Sequence, residues 1–206
     1  MRIEQMVLGM VGTNCYLAVN EAAGQLVIID PADDPQRIMQ KIEQTGAVPA
    51  AILLTHGHFD HIGAASALKE HYQIPVCCMR QELDTLRDPQ INLTGMGGRA
   101  YTMEADTLLE DGQELALAGL SIRVLHTPGH TAGGACYYVE EAAVLFAGDT
   151  LFQESVGRTD FPTGSMGQLV RSVREKLLTL PGDTRVLPGH GPATSIEWEQ
   201  RHNPFL

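Results

Sequence analysis

The sequence predicts an α/β or layered α+β domain, and two observations carry that reading. Short runs rich in Val, Ile and Leu, each closed by a turn signal, alternate with helical patterns along the chain. The 206 residues contain no linker and no low-complexity segment, which fits one core rather than several.

The first strands are expected at residues 15–19 and 26–29, apolar runs too short for helices. Asp34 before Pro35, with Gly46 at the far end, reads as an N-cap, a first-turn proline and a closing glycine around a helix at 36–45. Residues 51–54 form the next strand, 62–71 a helix, and 74–77 a strand. From Asp84 to Asp106 the chain carries Pro89, Asn92, Gly95, Gly97 and Gly98, so a long irregular excursion is expected there, of the kind that shapes a site entrance. Strands follow at 122–125, 135–139 and 144–147. Ser165 with Gln168 three positions on is a capping-box pattern that opens a helix to about residue 178, before Pro181-Gly182. A strand at 185–187 and a helix at 196–202 complete the order, and the recurrence of strand ends that run into histidine turns hints at two similar halves.

Composition narrows the function classes. The net charge of −11, with no basic block, argues against a nucleic-acid surface, which needs clustered Lys and Arg, and makes dications the natural partners. The longest apolar run, 142–147, is far below the roughly 18 residues of a membrane span, and the N-terminus lacks a secretory pattern, so a cytoplasmic protein without a membrane partner is expected. Cys15, Cys77, Cys78 and Cys136 form no C-x-x-C pair and read as small buried side chains. Oligomeric state is not encoded in any pattern.

The histidines cluster. After the strand at 51–54 comes Thr55-His56-Gly57-His58-Phe59-Asp60-His61. This chain's composition would produce H-x-H-x-D-H by accident with a chance of about 6 × 10⁻⁴. If the segment stays extended, His56, His58 and Asp60 project to one side and His61 to the other. Such a group can hold one metal through His56 and His58 and a second through Asp60 and His61. Three further strand ends repeat the theme with His130, Asp149 and His190, each beside glycines. His126 competes for the role of His130, but it is the first residue past its strand and lacks flanking glycines, so it is assigned to packing or to support behind the ligands.

Thr55 to His61, His130 in T-P-G-H-T, Gly148-Asp149 and Pro188-Gly189-His190-Gly191 together resemble the metallo-β-lactamase superfamily, and within it the short glyoxalase-II-like hydrolases. The resemblance spans nearly the whole chain and implies a single domain, 1–206, with a four-layer αββα sandwich and the site at one edge of the paired sheets. It implies that His56, His58 and His130 bind one metal, that Asp60, His61 and His190 bind another, and that Asp149 bridges them. The ions would be two divalent cations, zinc in the first place, with iron or manganese as alternatives. Asp60 would also orient a metal-bound hydroxide. No Cys stands at a ligand position, as it does in some antibiotic-degrading members. Asp30 matches a position that supports the metal loops; a turn residue before Pro31 is the alternative.

The resemblance implies hydrolysis of a small-molecule thioester of the S-lactoylglutathione kind. The alternatives are a mononuclear iron persulfide dioxygenase using His56, His130 and Asp149, a lactone or phosphoester hydrolase, and a non-catalytic metal-bearing platform. Two substrate-side candidates remain. Arg158, in Gly157-Arg158-Thr159-Asp160-Phe161, could neutralise an anionic substrate or brace against Asp160. Tyr137 and Tyr138 alternate faces on a strand, so one of them, Tyr138 in the first place, is a candidate pocket wall, although core packing is the favoured role for either. Longer glyoxalase II enzymes carry a C-terminal helical segment that grips glutathione; the tail at 196–206 offers Trp198 and Arg201 but no separate helical domain of that kind is expected.

Overall fold

The computed structural model of the protein describes residues 1–96 and 100–206. Strands β1 (Arg2–Leu8), β2 (Thr13–Asn20) and β3 (Gln25–Ile29) run antiparallel, and β4 (Val48–Leu53), β5 (Val76–Met79) and β6 (Thr107–Leu109) continue the sheet in parallel. In the second sheet β7 (Glu114–Leu117), β8 (Leu120–His126), β9 (Ala135–Val139) and β10 (Val144–Gly148) are antiparallel neighbours. A short hairpin, β11 (Leu151–Phe152) with β12 (Ser155–Val156), intervenes before β13 (Arg185–Pro188) joins β10 in parallel and β14 (Thr194–Ser195) closes the edge.

The helices are α1 (Pro35–Thr45), α2 (Phe59–Ile62), α3 (Ala65–Tyr72), α4 (Leu83–Arg87), α5 (Met166–Ser172, continued by a wider π turn at Val173–Leu177) and α6 (Ile196–His202). Period-2 alternation sorts them into layers. On β2, Cys15, Leu17 and Val19 pack outward against Ile38 and Ile42 of α1 and Leu68 of α3, while Tyr16 and Ala18 face the second sheet. On β9, Tyr137 and Val139 meet that same inter-sheet core, and Cys136 and Tyr138 face Leu169 of α5 and Ile196 of α6. Three apolar interfaces therefore separate four layers, the αββα sandwich expected from the sequence motifs. Each fully buried Leu or Ile in them contributes about 1.5–3 kcal/mol of burial free energy.

The α1 caps follow expectation: Asp34 accepts the amide of Arg37 at 3.2 Å, and Gly46 closes the helix at φ 71°. Four expectations change. The helix at 62–71 breaks into α2 and α3 because Gly63 lies against the Ala32 carbonyl, where a Cβ would collide, and Ala64 N donates to Pro31 O. Ser165 makes no side-chain cap; its amide instead donates to Gly129 O at 2.7 Å, tying α5 to the His130 turn. The strand expected at 74–77 begins at Val76, because Pro75 has no N–H for the ladder. Strands β1, β6, β7, β11, β12 and β14 were not expected, being short or, in β1, alternating in burial only toward its end. Among its described residues the excursion at 84–106 is irregular apart from the end of α4 and a 3₁₀ turn at Thr94–Met96; its Gly97 and Gly98 lie outside the described residues. No described helix is long and apolar enough to cross a membrane.

Candidate metal centre

Four strand ends meet at one edge of the sandwich. The loop after β4 brings His56 and His58, α2 brings Asp60 and His61, the β8–β9 loop brings His130, and the ends of β10 and β13 bring Asp149 and His190. An isolated bridge between Thr13 and His190 holds the two sheets together at this edge, with Asn14 N donating to Gly189 O. Gly189 is glycine because a Cβ there would collide with the Asp149 carboxylate and with the His61 ring.

The seven side chains form three overlapping groups of converging donor atoms: His56, His58 and His130; Asp60, His61 and His190; and His56, His61 and Asp149. Within the first, His58 Nδ1 lies 2.9 Å from His130 Nε2. Within the second, Asp60 Oδ2 lies 3.1 Å from His190 Nε2 and 3.6 Å from His61 Nε2. The Asp149 carboxylate faces both, with Oδ1 at 3.4 Å from His61 and Oδ2 at 3.6 Å from both His130 and His190. Expected alternation ends at His58. The chain turns helical at Phe59, so Asp60 and His61, adjacent on one turn, converge on His190 instead of taking opposite sides.

Hydrogen bonds select the imidazole nitrogens that are left to bind. His61 Nδ1 donates to Asp30 Oδ2 at 2.8 Å, leaving Nε2 inward. Asp30 Oδ2 also accepts the Thr55 hydroxyl at 2.6 Å, and His56 Nδ1 lies 3.2 Å from that hydroxyl, so His56 too points Nε2 inward. His130 Nδ1 donates to the Arg158 carbonyl at 2.8 Å. Asp30, buried and at φ 48°, therefore orients two of the imidazoles, in addition to accepting Thr55 N at 2.7 Å. Thr13 donates to Asp60 Oδ2 at 2.9 Å.

The donor set fits divalent cations. His56 Nε2, His61 Nε2 and Asp149 Oδ1 are buried without a hydrogen-bond partner, an expensive arrangement unless a ligand fills it. Burial, then the neighbouring imidazoles, hold His56 well below the ordinary histidine range and take His58 down to about 3, so both are neutral and free to ligate. Burial works against charge on His61 as well, but the carboxylates of Asp60, Asp149 and Asp30 overcome it and raise its pKa, a field that attracts positive charge. Burial likewise opposes ionisation of Asp60 and Asp149, yet His61 and its neighbours keep both carboxylates low and ionised. Asp60, His61, His190, His56, His58, His130 and Asp149 are thus brought together, with Asp30 behind them.

The substrate-side candidates fare differently. Arg158 pairs with Asp160 through two bonds of 2.7 Å and stacks over Phe161, the brace alternative; its carbonyl, rather than its guanidinium, touches the metal ligands. Tyr138 is not a pocket wall but takes the favoured core-packing role: it is 2% exposed in the outer core of the second sheet, with Arg123 5.1 Å over its ring. Ala135 is the β9 residue at the site end, its amide donating to Thr55 O, so both tyrosines lie further along the strand. Tyr137 donates its hydroxyl to Leu54 O at 2.6 Å in the inter-sheet core. His126 is structural, with Nε2 against Ala132 O. Glu82 and Thr13 carry no sequence signal, being a lone Glu after an apolar strand and a lone Thr, and Thr55, which heads the histidine motif, has a role that only its contacts with Asp30 and His56 reveal.

A fold of this kind with histidines and aspartates at these strand ends defines a metal-binding αββα protein. The chain belongs to the Metallo-beta-lactamase superfamily, whose sequence profile matches residues 8–190. It is 42% identical over 208 residues to the Bacillus subtilis protein named probable metallo-hydrolase YqgX, covering 100% of this chain and 98% of the relative. Hydroxyacylglutathione hydrolase GloC of Haemophilus influenzae is 37% identical over 212 residues, with 100% and 98% covered. Among solved structures, BLEG-1 B3 metallo-beta-lactamase superposes with a TM-score of 0.94 at 42% identity, covering 100% of this chain and 99% of that one. TTHA1623 in a di-iron-bound form gives 0.88 at 39%, with 98% and 100% covered, and ETHE1 from Myxococcus xanthus gives 0.84 at 32%, with 99% and 84% covered.

Proposed function

We propose that the chain is a dinuclear metallo-hydrolase that cleaves thioesters of the hydroxyacylglutathione kind. The observation that carries this reading is the full double ligand set, His56, His58 and His130 on one side and Asp60, His61 and His190 on the other, with Asp149 facing both. Likeness to proteins named metallo-hydrolase and hydroxyacylglutathione hydrolase, and to a di-iron-bound structure, supports it.

His56, His58 and His130 would hold one ion and Asp60, His61 and His190 the other, with Asp149 between them. Two bound divalent ions supply a lowered water pKa and positive charge beside a developing oxyanion. The chain's own residues do the rest. Asp60, ionised and held by Thr13 and His190, sits where it can orient an attacking water. Beside Asp60 opens a groove of about 350 Å³ bounded by Met10, Val11, Ala32, Asp33, Phe59 and Tyr101, wide enough for the organic part of a small thioester. In the overall reaction water adds to the thioester carbonyl, the C–S bond breaks, and the thiol departs with a proton from the water.

Two rival readings have a specific observation each. Likeness to ETHE1 keeps the mononuclear iron dioxygenase open, since His56, His130 and Asp149 alone would serve it. Likeness to BLEG-1 keeps β-lactam hydrolysis open. The experiment is a metal-loaded assay in three arms. Thiol release from S-lactoylglutathione is the result expected. Oxygen uptake on a glutathione persulfide with one iron per chain, or β-lactam opening without thioester cleavage, would overturn the proposal.

A further inference from the structure

Two loops supply the first imidazole triad, residues 56–58 after β4 and the β8–β9 loop around His130, and a single side chain from a third element ties them together. Glu82 ends a 3₁₀ turn, Arg80–Glu82, that follows β5. Its side chain is fully buried. One carboxylate oxygen, Oε1, accepts the amide of Gly57, the residue between His56 and His58, at 2.8 Å. The other, Oε2, accepts the Thr131 hydroxyl at 2.9 Å and the Gly133 amide at 2.8 Å, next to His130 in the chain. Space is as restrictive as bonding. A Cβ on Gly133 would collide with the Glu82 amide, and a Cβ on Gly57 would come within 2.9 Å of Leu86 and 3.1 Å of Thr85.

A buried carboxylate is costly unless its oxygens are occupied by donors, and here the donors come from both metal loops. Only a carboxyl group serves both loops fully. An amide of the same shape has one acceptor oxygen, so it would turn an NH2 toward the donors of one loop; an aliphatic side chain would accept nothing.

We propose that Glu82 is a positioning residue for the first metal: by locking the loop of His56 and His58 to the loop of His130, it fixes the spacing of His58 Nδ1 and His130 Nε2 without touching the ion. This inference rests on the metal reading of the triad and not on the substrate. The second triad, Asp60, His61 and His190, is reached through α2 and β13 and makes no use of these bonds.

The test is titration of the full chain with Co2+ alone, against a competing chelator, with the visible absorption of the bound ion recorded. A His190→Ala background reads the first site and a His58→Ala background the second. Glu82→Gln is expected to weaken Co2+ at the first site about 10–100-fold and to alter its absorption spectrum, while the second site changes less than about threefold. Thr131→Val, which removes one of the three donors, is expected to give a smaller loss at the same site only. Unchanged affinity and spectrum at the first site, or equal losses at both sites, would overturn the proposal. Should Glu82→Gln fail to fold, as judged by circular dichroism of the metal-free chain, Thr131→Val decides: selective weakening sustains the proposal and none overturns it. A wild-type chain that binds no Co2+ removes the metal reading together with this inference, whereas two bound ions and an indifferent Glu82→Gln overturn this inference alone.

Discussion

Replacing Asp30 by Asn removes an acceptor where three donors meet. Oδ1 accepts Thr55 N at 2.7 Å, and Oδ2 accepts Thr55 Oγ1 at 2.6 Å and His61 Nδ1 at 2.8 Å. An amide that keeps the bond to Thr55 N presents its NH2 to His61 Nδ1, which must then act as an acceptor. The ring proton moves to Nε2, the atom that faces Asp60 and Asp149, and the lone pair needed for a metal is lost. The opposite amide orientation leaves the buried Thr55 N–H against an NH2, at about 1–3 kcal/mol of stability. Loss of such an orienting partner weakens metal binding by about 10–100-fold, equivalent to about 1.4–2.8 kcal/mol. The assay is Zn2+ titration of wild type and Asp30→Asn by calorimetry, with imidazole N–H proton resonances followed at matched zinc. Wild type should bind the second ion tightly and show a hydrogen-bonded His61 Nδ1–H; the variant should lose both. Unchanged second-ion affinity with the Nδ1–H resonance retained would refute the reasoning.

Three further outcomes follow from the same geometry. Asp149→Ala should lose bound metal, and His58→Ala the ion of its own triad, each with nearly all turnover, as elemental analysis beside a thioester assay will show; full activity at unchanged metal content contradicts the ligand assignment. Tyr138→Ala should cost about 3–5 kcal/mol in denaturant midpoint analysis because it empties a buried ring site, while the variant, once folded, keeps wild-type KM. Metal-free protein should lose stability as pH falls below about 6.5, the ordinary histidine value. Burial and neighbouring imidazoles keep His56 and His58 from taking the protons that the unfolded chain takes, down to about pH 3 for His58. His61 has the opposite sign, its raised pKa giving stability that is fully present below 6.5 and lost at higher pH, so it does not offset the acid loss. Glu82, pushed up to about 7 by burial, stabilises on acidification from 7 to about 4.5 and offsets part of it. The Glu82 gain and the His58 loss are of similar size over that range, so the fall that remains is that of His56, and urea midpoints that stay level or rise between pH 7 and 4 would contradict it.

The metal centre was legible in the sequence to the extent that its residues sit in short local motifs. H-x-H-x-D-H and three glycine-flanked strand ends name all seven converging side chains, because each ligand is within a few residues of a strand whose apolar run is itself readable. The supporting contacts were not legible. Glu82 meets Gly57 and Thr131 across 25 and 49 positions of chain, and Thr13 meets Asp60 across 47, distances over which no local pattern speaks. The helix break at Gly63 was missed for the same reason, since its cause is the carbonyl of Ala32 on another segment. Tyr138 stayed open as a lesser pocket-wall candidate because alternation says that neighbouring residues take opposite faces but not which end of the strand lies at the site. The central strands stood out because they are buried on both faces, whereas β1 and the short edge strands expose too many polar residues to form a run.

The most direct test of the account is the number and position of ions in the metal-loaded wild-type chain. Elemental analysis with anomalous X-ray scattering should find about two ions per chain, one beside His56, His58 and His130 and one beside Asp60, His61 and His190, with Asp149 between them. A single ion under saturating metal, or ions bound away from these side chains, would contradict it.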